Sequence, residues 1–403
     1  MVDADEMPQP IYAENKPCAE IESRRHSPTL MLAVVTKVLD DDDLLAEILL
    51  RVVFPTTLVR AALVCKRWYH HASDRRFLCR FRKLHPPCLL GFYVVFKGAR
   101  FIPMQPQPPE LAAVVRHVAG YRFGNLIDLK DCRNGIVLTR DRKQGVLTYK
   151  VPLCPERGMP TVPPLPRTQG GSIFYFGEIL SKEEGDGLSC FYMVVEVSKE
   201  TKEVTVSVYM LQDGVWCMVT SSKNQLHWPL PRPNPVLVDN KIYMGSARGN
   251  NILVLDLSAS TFSVIHLPQG VEYASSEIKL SRTDDASGVY LIHLRPMEFQ
   301  LCVWLHKEDN WLLVDTMYLH EMCAILGKTD RRYVHIRQVG DNDQFVLLQT
   351  SQYIFYLDIK CRTLHKVDEM TVDEQCYADI HPFMMIWPPI FPALKDDPAR
   401  NAI

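Results

Sequence analysis

The stretch 42–85, DDLLAEILLRVVFPTTLVRAALVCKRWYHHASDRRFLCRFRKLH, constrains this chain more than any other. Leu44, Leu45, Ile48, Leu49 and Val52 recur at helical spacing, and the four aspartates Asp40, Asp41, Asp42 and Asp43 sit where a helix N-terminus favours negative charge. Pro55 stops that helix and turns the chain. A second apolar helix follows, ending in the run Val64-Cys65-Lys66-Arg67-Trp68. A helical module this small cannot bury all of its apolar surface, so part of that surface is expected to face a partner.

The order of these elements resembles the F-box. That family pattern has a short acidic opening, a Leu-Leu-x-Glu-Ile-Leu helix, a proline turn, then Leu-Val-[Cys/Ser]-Lys-Arg-Trp and a Ser-Asp-x-x-Phe/Leu step. The chain reads Leu44-Leu45-Ala46-Glu47-Ile48-Leu49, Pro55, Leu63-Val64-Cys65-Lys66-Arg67-Trp68, and Ser73-Asp74 with Phe77-Leu78. It departs at the opening: Asp40-Asp41 stands where the family has Leu-Pro, and Leu39 lies one residue early. The resemblance implies that Leu44, Ile48, Leu58, Leu63, Val64, Cys65 and Trp68 face a Skp-type adaptor, with Pro55 setting the turn. Leu45, Leu49 and Ala62 are expected inside the module.

Composition narrows the class further. With 45 basic against 47 acidic residues no global field for nucleic acid or membrane exists. The local group Arg75, Arg76, Arg80, Arg82 and Lys83 reads as a solvated helix face rather than a phosphate site. Twelve cysteines fall without a Cys-x-x-Cys pair, in a chain too large to need disulfide staples. No apolar run approaches the roughly 18 residues of a membrane span, and the N-terminus carries Asp3, Asp5 and Glu6 in place of a signal core. These features lead to an expectation of cytoplasm, nucleus or both.

From Cys88 onward, short β-branched and aromatic runs alternate with Gly, Asp, Asn and Pro: 89–96, 173–176, 191–197, 204–211, 241–244, 252–257 and 345–348. Few segments between them have helical length or period, which disfavours βαβ units. Four strand-turn-strand units start at Val206, Asn251, Phe299 and Tyr353, so successive starts lie 45, 48 and 54 residues apart. Each carries an apolar anchor after its turn: Trp216, Phe262, Trp311 and Leu364. A further strand precedes each unit, and the 138–149 region looks like an earlier, divergent copy. Three to four strands per repeat is the arithmetic of a β-propeller blade. A two-sheet sandwich could use the same strands but leaves the near-regular period unexplained.

The expected architecture is therefore multidomain, α then all-β: a mobile tail (1–37), a small helical F-box (38–85), a kelch-like β-propeller of five to six blades (86–390) and a short C-terminal tail (391–403). Closure should pair a late strand with an early one, with Trp216, Phe262 and Trp311 at corresponding buried positions. Three segments are similar to plant F-box proteins with an F-box-associated propeller, above all those of grasses. They are Asp131-Cys132-Arg133-Asn134-Gly135, the 152–158 stretch, and the ending Pro382-Phe383-Met384-Met385-Ile386-Trp387-Pro388-Pro389.

Catalytic motifs are incomplete. His320-Glu321-Met322-Cys323-Ala324 lacks the second histidine of a zinc-protease helix, and Gly185-Asp186-Gly187 lacks the third glycine of a dinucleotide loop. His70-His71 reads as an exposed helix edge. No metal or other cofactor is expected. The resemblance implies a non-catalytic substrate receptor that binds a Skp-type adaptor and, through it, a cullin, and that holds a target protein on propeller loops such as 181–188, 246–250 and 295–298. Two alternatives stay open: a propeller enzyme or small-ligand sensor with a vestigial F-box, and a scaffold that directs no degradation.

Overall fold

The computed structural model describes residues 35–392 except 86–87, 125–126, 145, 156–160, 167–171, 185–186, 202, 225–234, 247–249, 275, 284–287, 308, 320–333 and 341–343. The expected tail up to residue 34 and the 320–324 motif lie outside the described residues. Residues 35–40 are helical, so 35–37, assigned to the tail from sequence, continue the helical module. Four helices follow: α1 (Asp42–Leu50), α2 (Pro55–Ala62), α3 (Lys66–Ser73) and α4 (Arg75–Leu84). Pro55 occupies the first turn of α2, where its missing N–H is harmless. Asp41 caps α1 by accepting from the Asp43 and Leu44 amides at 3.0 Å each, and Asp74 caps α4 by accepting from Phe77 N at 2.9 Å.

β1 (Leu89–Val95) and β2 (Ala99–Pro103) then form a hairpin, and α5 (Ala112–Gly120) packs against β2. Five four-stranded antiparallel meanders follow. Blade A is β3 (Ile127–Arg133), β4 (Ile136–Asp141), β5 (Leu147–Lys150) and β6 (Thr161–Val162). Blade B is β7 (Ser172–Glu184), β8 (Gly187–Ser198), β9 (Val204–Gln212) and β10 (Val215–Asn224). Blade C is β11 (Val236–Val238), β12 (Lys241–Ser246), β13 (Asn251–Asp256) and β14 (Thr261–His266). Blade D is β15 (Ile278–Arg282), β16 (Val289–Arg295), β17 (Gln300–Lys307) and β18 (Asn310–Tyr318). Blade E is β19 (His335–Val339), β20 (Phe345–Gln349), β21 (Tyr353–Asp358) and β22 (Thr363–Glu369). After α6 (Val372–Tyr377), the last strand β23 (Asp379–Met384) pairs antiparallel with β1 and completes the sixth blade, F.

The first strands β3, β7, β11, β15, β19 and β23 each touch the next, and β23 touches β3, so the ring closes. The molecule is a six-bladed β-propeller preceded by a small helical region. Closure by the last strand leaves no open end to the array. Each of the six inter-blade gaps holds its own apolar cluster. Among the described residues, the A–B gap has the fewest fully buried members, Leu138, Leu147 and Val162.

The four repeats read from sequence are the third and fourth strands of blades B to E. Trp216, Phe262, Trp311 and Leu364 are each the second residue of the fourth strand. All four pack toward the preceding blade: Trp216 into A–B, Phe262 into B–C, Trp311 into C–D and Leu364 into D–E. Two of them also hydrogen-bond across the gap, Trp216 Nε1 to Pro163 O at 3.0 Å and Trp311 Nε1 to His266 O at 2.8 Å. Leu364 alone is fully buried; the other three are half-buried, because the fourth strand is the outermost. The expected loop at 181–188 is in part strand, since 181–184 extends β7 and 187–188 opens β8. Two helices, α5 and α6, stand in segments where the sequence signals no element.

Candidate functional site

The helical module is built around Leu45, Leu49, Leu50, Leu58, Ala62, Tyr69, Ala72, Phe77 and Phe81. Leu45, Leu49 and Ala62, read as core, are buried there. Leu58, read as a contact, is also fully buried. On α2, Pro55, Leu58 and Ala62 recur at helical spacing and form the inward face, so Leu58 cannot reach a partner. Pro55 is buried with them while it sets the turn.

The remaining predicted residues reach the surface. Leu44 and Ile48, one turn apart on α1, are 46% and 39% exposed; Leu63 and Val64, in the turn between α2 and α3, are 61% and 66% exposed. Cys65 is an exposed free thiol, and Trp68 is half-buried against the module core. Val53, 56% exposed and unnoticed in the sequence reading, lies between α1 and α2.

Arg67 holds the two apolar elements together. Its guanidinium donates to Asp42 Oδ1 at 2.6 and 2.8 Å, to Asp40 O at 2.7 Å and to Leu39 O at 2.5 Å. His71 Nε2 lies 2.9 Å from the same Asp42 oxygen. The hydrogen bonds from Arg67 and then His71 hold the Asp42 carboxyl below the ordinary carboxylate value. This cluster fastens the start of α3 to the start of α1, so the Leu63-Val64-Cys65 turn and Leu44 lie at one end of the module. The acidic opening thus has a structural role: Asp41 caps the helix and Asp42 anchors Arg67. His70 is exposed, and Arg80 of the basic group pairs with Glu47 at 2.5 Å.

The module is fastened to the propeller by the segment that follows β23. Trp387, 6% exposed, stacks on Phe81 with ring centroids 5.7 Å apart and planes 7° apart. Phe391 meets Tyr69 edge-on at 5.8 Å, so the segment packed on α3 extends past residue 390. Asn134 Nδ2 donates to Trp387 O at 2.5 Å, and Trp387 N donates to Asn134 Oδ1 at 2.6 Å. Asn134 and Gly135, with φ of 49° and 69°, form the tight turn of the β3–β4 hairpin. A side chain on Gly135 would meet Ile386 at 3.0 Å, so this turn needs glycine for both conformation and space. Two of the segments singled out in the sequence, 131–135 and 382–389, therefore bind each other.

In the propeller, Lys279 sits on the first strand β15 and His293 on the second strand β16 of the same blade. Burial and the nearby Arg337 push the Lys279 amine down to about 8. Burial, with Arg295 adding to it, pushes the His293 imidazole down to about 4. A small cleft between blades A and B is lined by Asp131, Arg133, Tyr149 and Cys190 among others. Burial there pushes the Cys190 thiol up to about 11, so it stays protonated and is a poor nucleophile. Among the described residues, no three His, Cys, Asp or Glu side chains converge as metal ligands, and no helix is long and apolar enough to cross a membrane.

Comparison with known families accords with this architecture. An F-box-like model matches residues 42–83. The model of the F-box protein AT5G49610-like β-propeller matches residues 128–391, well over half of the chain. The chain belongs to this F-box propeller family. F-box domains generally bind Skp-type adaptors, and an F-box followed by a propeller is typical of non-catalytic receptor subunits. No curated protein sequence matches the chain. Among solved structures, it is similar to a nidogen/laminin complex chain at 10% identity and a TM-score of 0.41, covering 73% of this chain and 100% of that one. An oligogalacturonate lyase in complex with manganese is similar at 9% identity and a TM-score of 0.37, covering 60% of this chain and 63% of the lyase. TolB from Acinetobacter baumannii is similar at 12% identity and a TM-score of 0.35, covering 69% and 63%. These distant likenesses carry no argument about this chain.

Proposed function

We propose that this F-box protein is the substrate receptor of a Skp–cullin–F-box ubiquitin ligase. The F-box grips a Skp-type adaptor, the adaptor joins it to a cullin, and the propeller holds a target protein. The observation that carries the reading is the exposed apolar set Leu44, Ile48, Leu63 and Val64 on a module whose other large apolar side chains are mostly buried. The chain need do no acid–base chemistry: holding a target lysine near the activated ubiquitin raises its effective concentration. A site in the cytoplasm or nucleus fits the free thiols Cys65, Cys79, Cys217 and Cys361 on the surface. We also read the blades as kelch-like from their spacing, and the chain as a plant protein from its grass-like tail motif.

Calorimetry of the full chain with a purified Skp-type adaptor tests the reading. Val64→Asp changes only an exposed position, so it should leave the melting temperature in place. It should also weaken binding by more than ~2 kcal/mol, the scale of an interface hot spot. Wild-type chain that melts cooperatively and shows no affinity for any such adaptor would refute the proposal.

A further inference from the structure

The F-box core is incomplete without the segment that follows β23. Among the described residues ten are buried in that core; nine come from 45–81 and the tenth is Trp387, more than three hundred positions away. Phe391 packs on the same core. We propose that residues 385–391 are a fastening segment that completes the F-box fold, so that the adaptor face is presented only when the propeller has closed.

The order of the chain makes the two events dependent. Trp387 lies three residues after Met384, where β23 ends. β23 closes the ring by pairing with β1 from Leu89 to Val95. Directly after β23, Met385 N donates to Cys88 O at 2.7 Å, just past the end of α4. Trp387 reaches Phe81 from that position, with its backbone held on both sides by the Asn134 amide of blade A. Blade F, blade A and the F-box thus meet at one tryptophan. If β23 is absent or out of register, Trp387 is displaced and Phe81, at present fully buried, loses its stacked cover. A core of so few side chains has little reserve against such a loss.

The segment also fixes direction. A receptor works by holding its target at a set distance from the transferring enzyme, and a loose joint between F-box and propeller would dilute that effect. α2 adds a second contact by touching the short 3-10 turn Pro109–Leu111 of the propeller. Trp387 and Asn134 are accordingly positioning residues for the proposed receptor, and this consequence rests on that reading.

The test uses the full chain and three variants, followed by hydrogen exchange and by calorimetry with a purified Skp-type adaptor. Trp387→Ala should raise amide exchange in α4 at least tenfold and weaken adaptor binding at least tenfold, while β16 and β17 of blade D exchange as in wild type. Asn134→Gly keeps the left-handed turn and removes only the side-chain amide; it should act in the same direction by a smaller factor. Val64→Asp should abolish adaptor binding with α4 exchange unchanged, which separates loss of the face from loss of the fold. Wild-type exchange in α4 of Trp387→Ala would overturn the inference. So would both Trp387→Ala and Asn134→Gly accelerating exchange equally in blade D and α4, because the contact would then support the whole propeller rather than the F-box. If wild type binds no adaptor and Trp387→Ala still accelerates α4 selectively, the receptor reading falls and the fastening segment stands.

Discussion

The F-box and the propeller both expose large apolar side chains, for different reasons. In the propeller most of them lie on fourth strands, among them Val215 and Met218 on β10, Val264 on β14, and Leu312, Leu313 and Val314 on β18; Ile173, Met297 and Val372 are scattered singly elsewhere. A blade has nothing outside its last strand, so exposure there follows from the topology. In the F-box, Leu63 and Val64 occupy a turn, and Leu44 and Ile48 lie on a helix whose opposite face, Leu45 and Leu49, is fully buried. A solvated turn and a solvated helix face ordinarily carry polar residues. The same exposure therefore points to a partner in one region and to an outer rim in the other.

Four measurements can break or sharpen that contrast. The largest effect belongs to Leu58→Ala. Its side chain is fully buried, so truncation should cost ~2–5 kcal/mol in urea denaturation. A cost near zero would return Leu58 to the exposed set.

Next comes acid. His293 is buried and its folded-state pKa lies at about 4, below the ~6.5 of an unfolded histidine. The unfolded chain therefore takes up the proton first, and stability falls as pH drops from about 6.5 to 4, by up to ~3 kcal/mol. The lowered carboxyl of Asp42 in the F-box works in a different window. Its stabilisation persists down to the ordinary carboxylate value and is lost below that. Denaturation midpoints at pH 7, 5.5 and 4.5, followed separately in blade D and α1, should show the propeller weakening first. His293→Gln should flatten that slope, and an unchanged slope would show that other groups set it.

A smaller change is expected for Asp41→Ala, which removes the α1 cap and should cost ~1 kcal/mol, seen as faster exchange of the Asp43 and Leu44 amides. Protection unchanged in both amides would mean that Arg67 alone holds that end. The smallest change in stability belongs to Leu63→Ala, which should shift folding by no more than ~0.5 kcal/mol while it weakens adaptor binding. A large loss of stability there would move Leu63 from the face to the core.

Local pattern carried much of this protein. Helical spacing, the proline break and the acidic opening located α1 and α2, and the anchors Trp216, Phe262, Trp311 and Leu364 marked the fourth strands of blades B to E. Middle strands such as β13 and β20 were legible because blades cover both of their faces, which makes them nearly continuous apolar runs. First strands were legible only in part: the 173–176 run fell on β7, while β11, β15 and β19 went unmarked. β11 spans three residues, and β15 and β19 carry Lys279 and Arg337, so neither length nor period marks them. Within the F-box, spacing placed Leu44, Leu45, Ile48 and Leu49 on one helix, and the contacts then separated Leu58, which faces inward, from Leu63 and Val64, which do not. The pairing of β1 with β23, the six-blade count and the hold of Asn134 on Trp387 join residues hundreds of positions apart. No local period encodes such contacts. They exist only because a closed ring brings β23 back to β1.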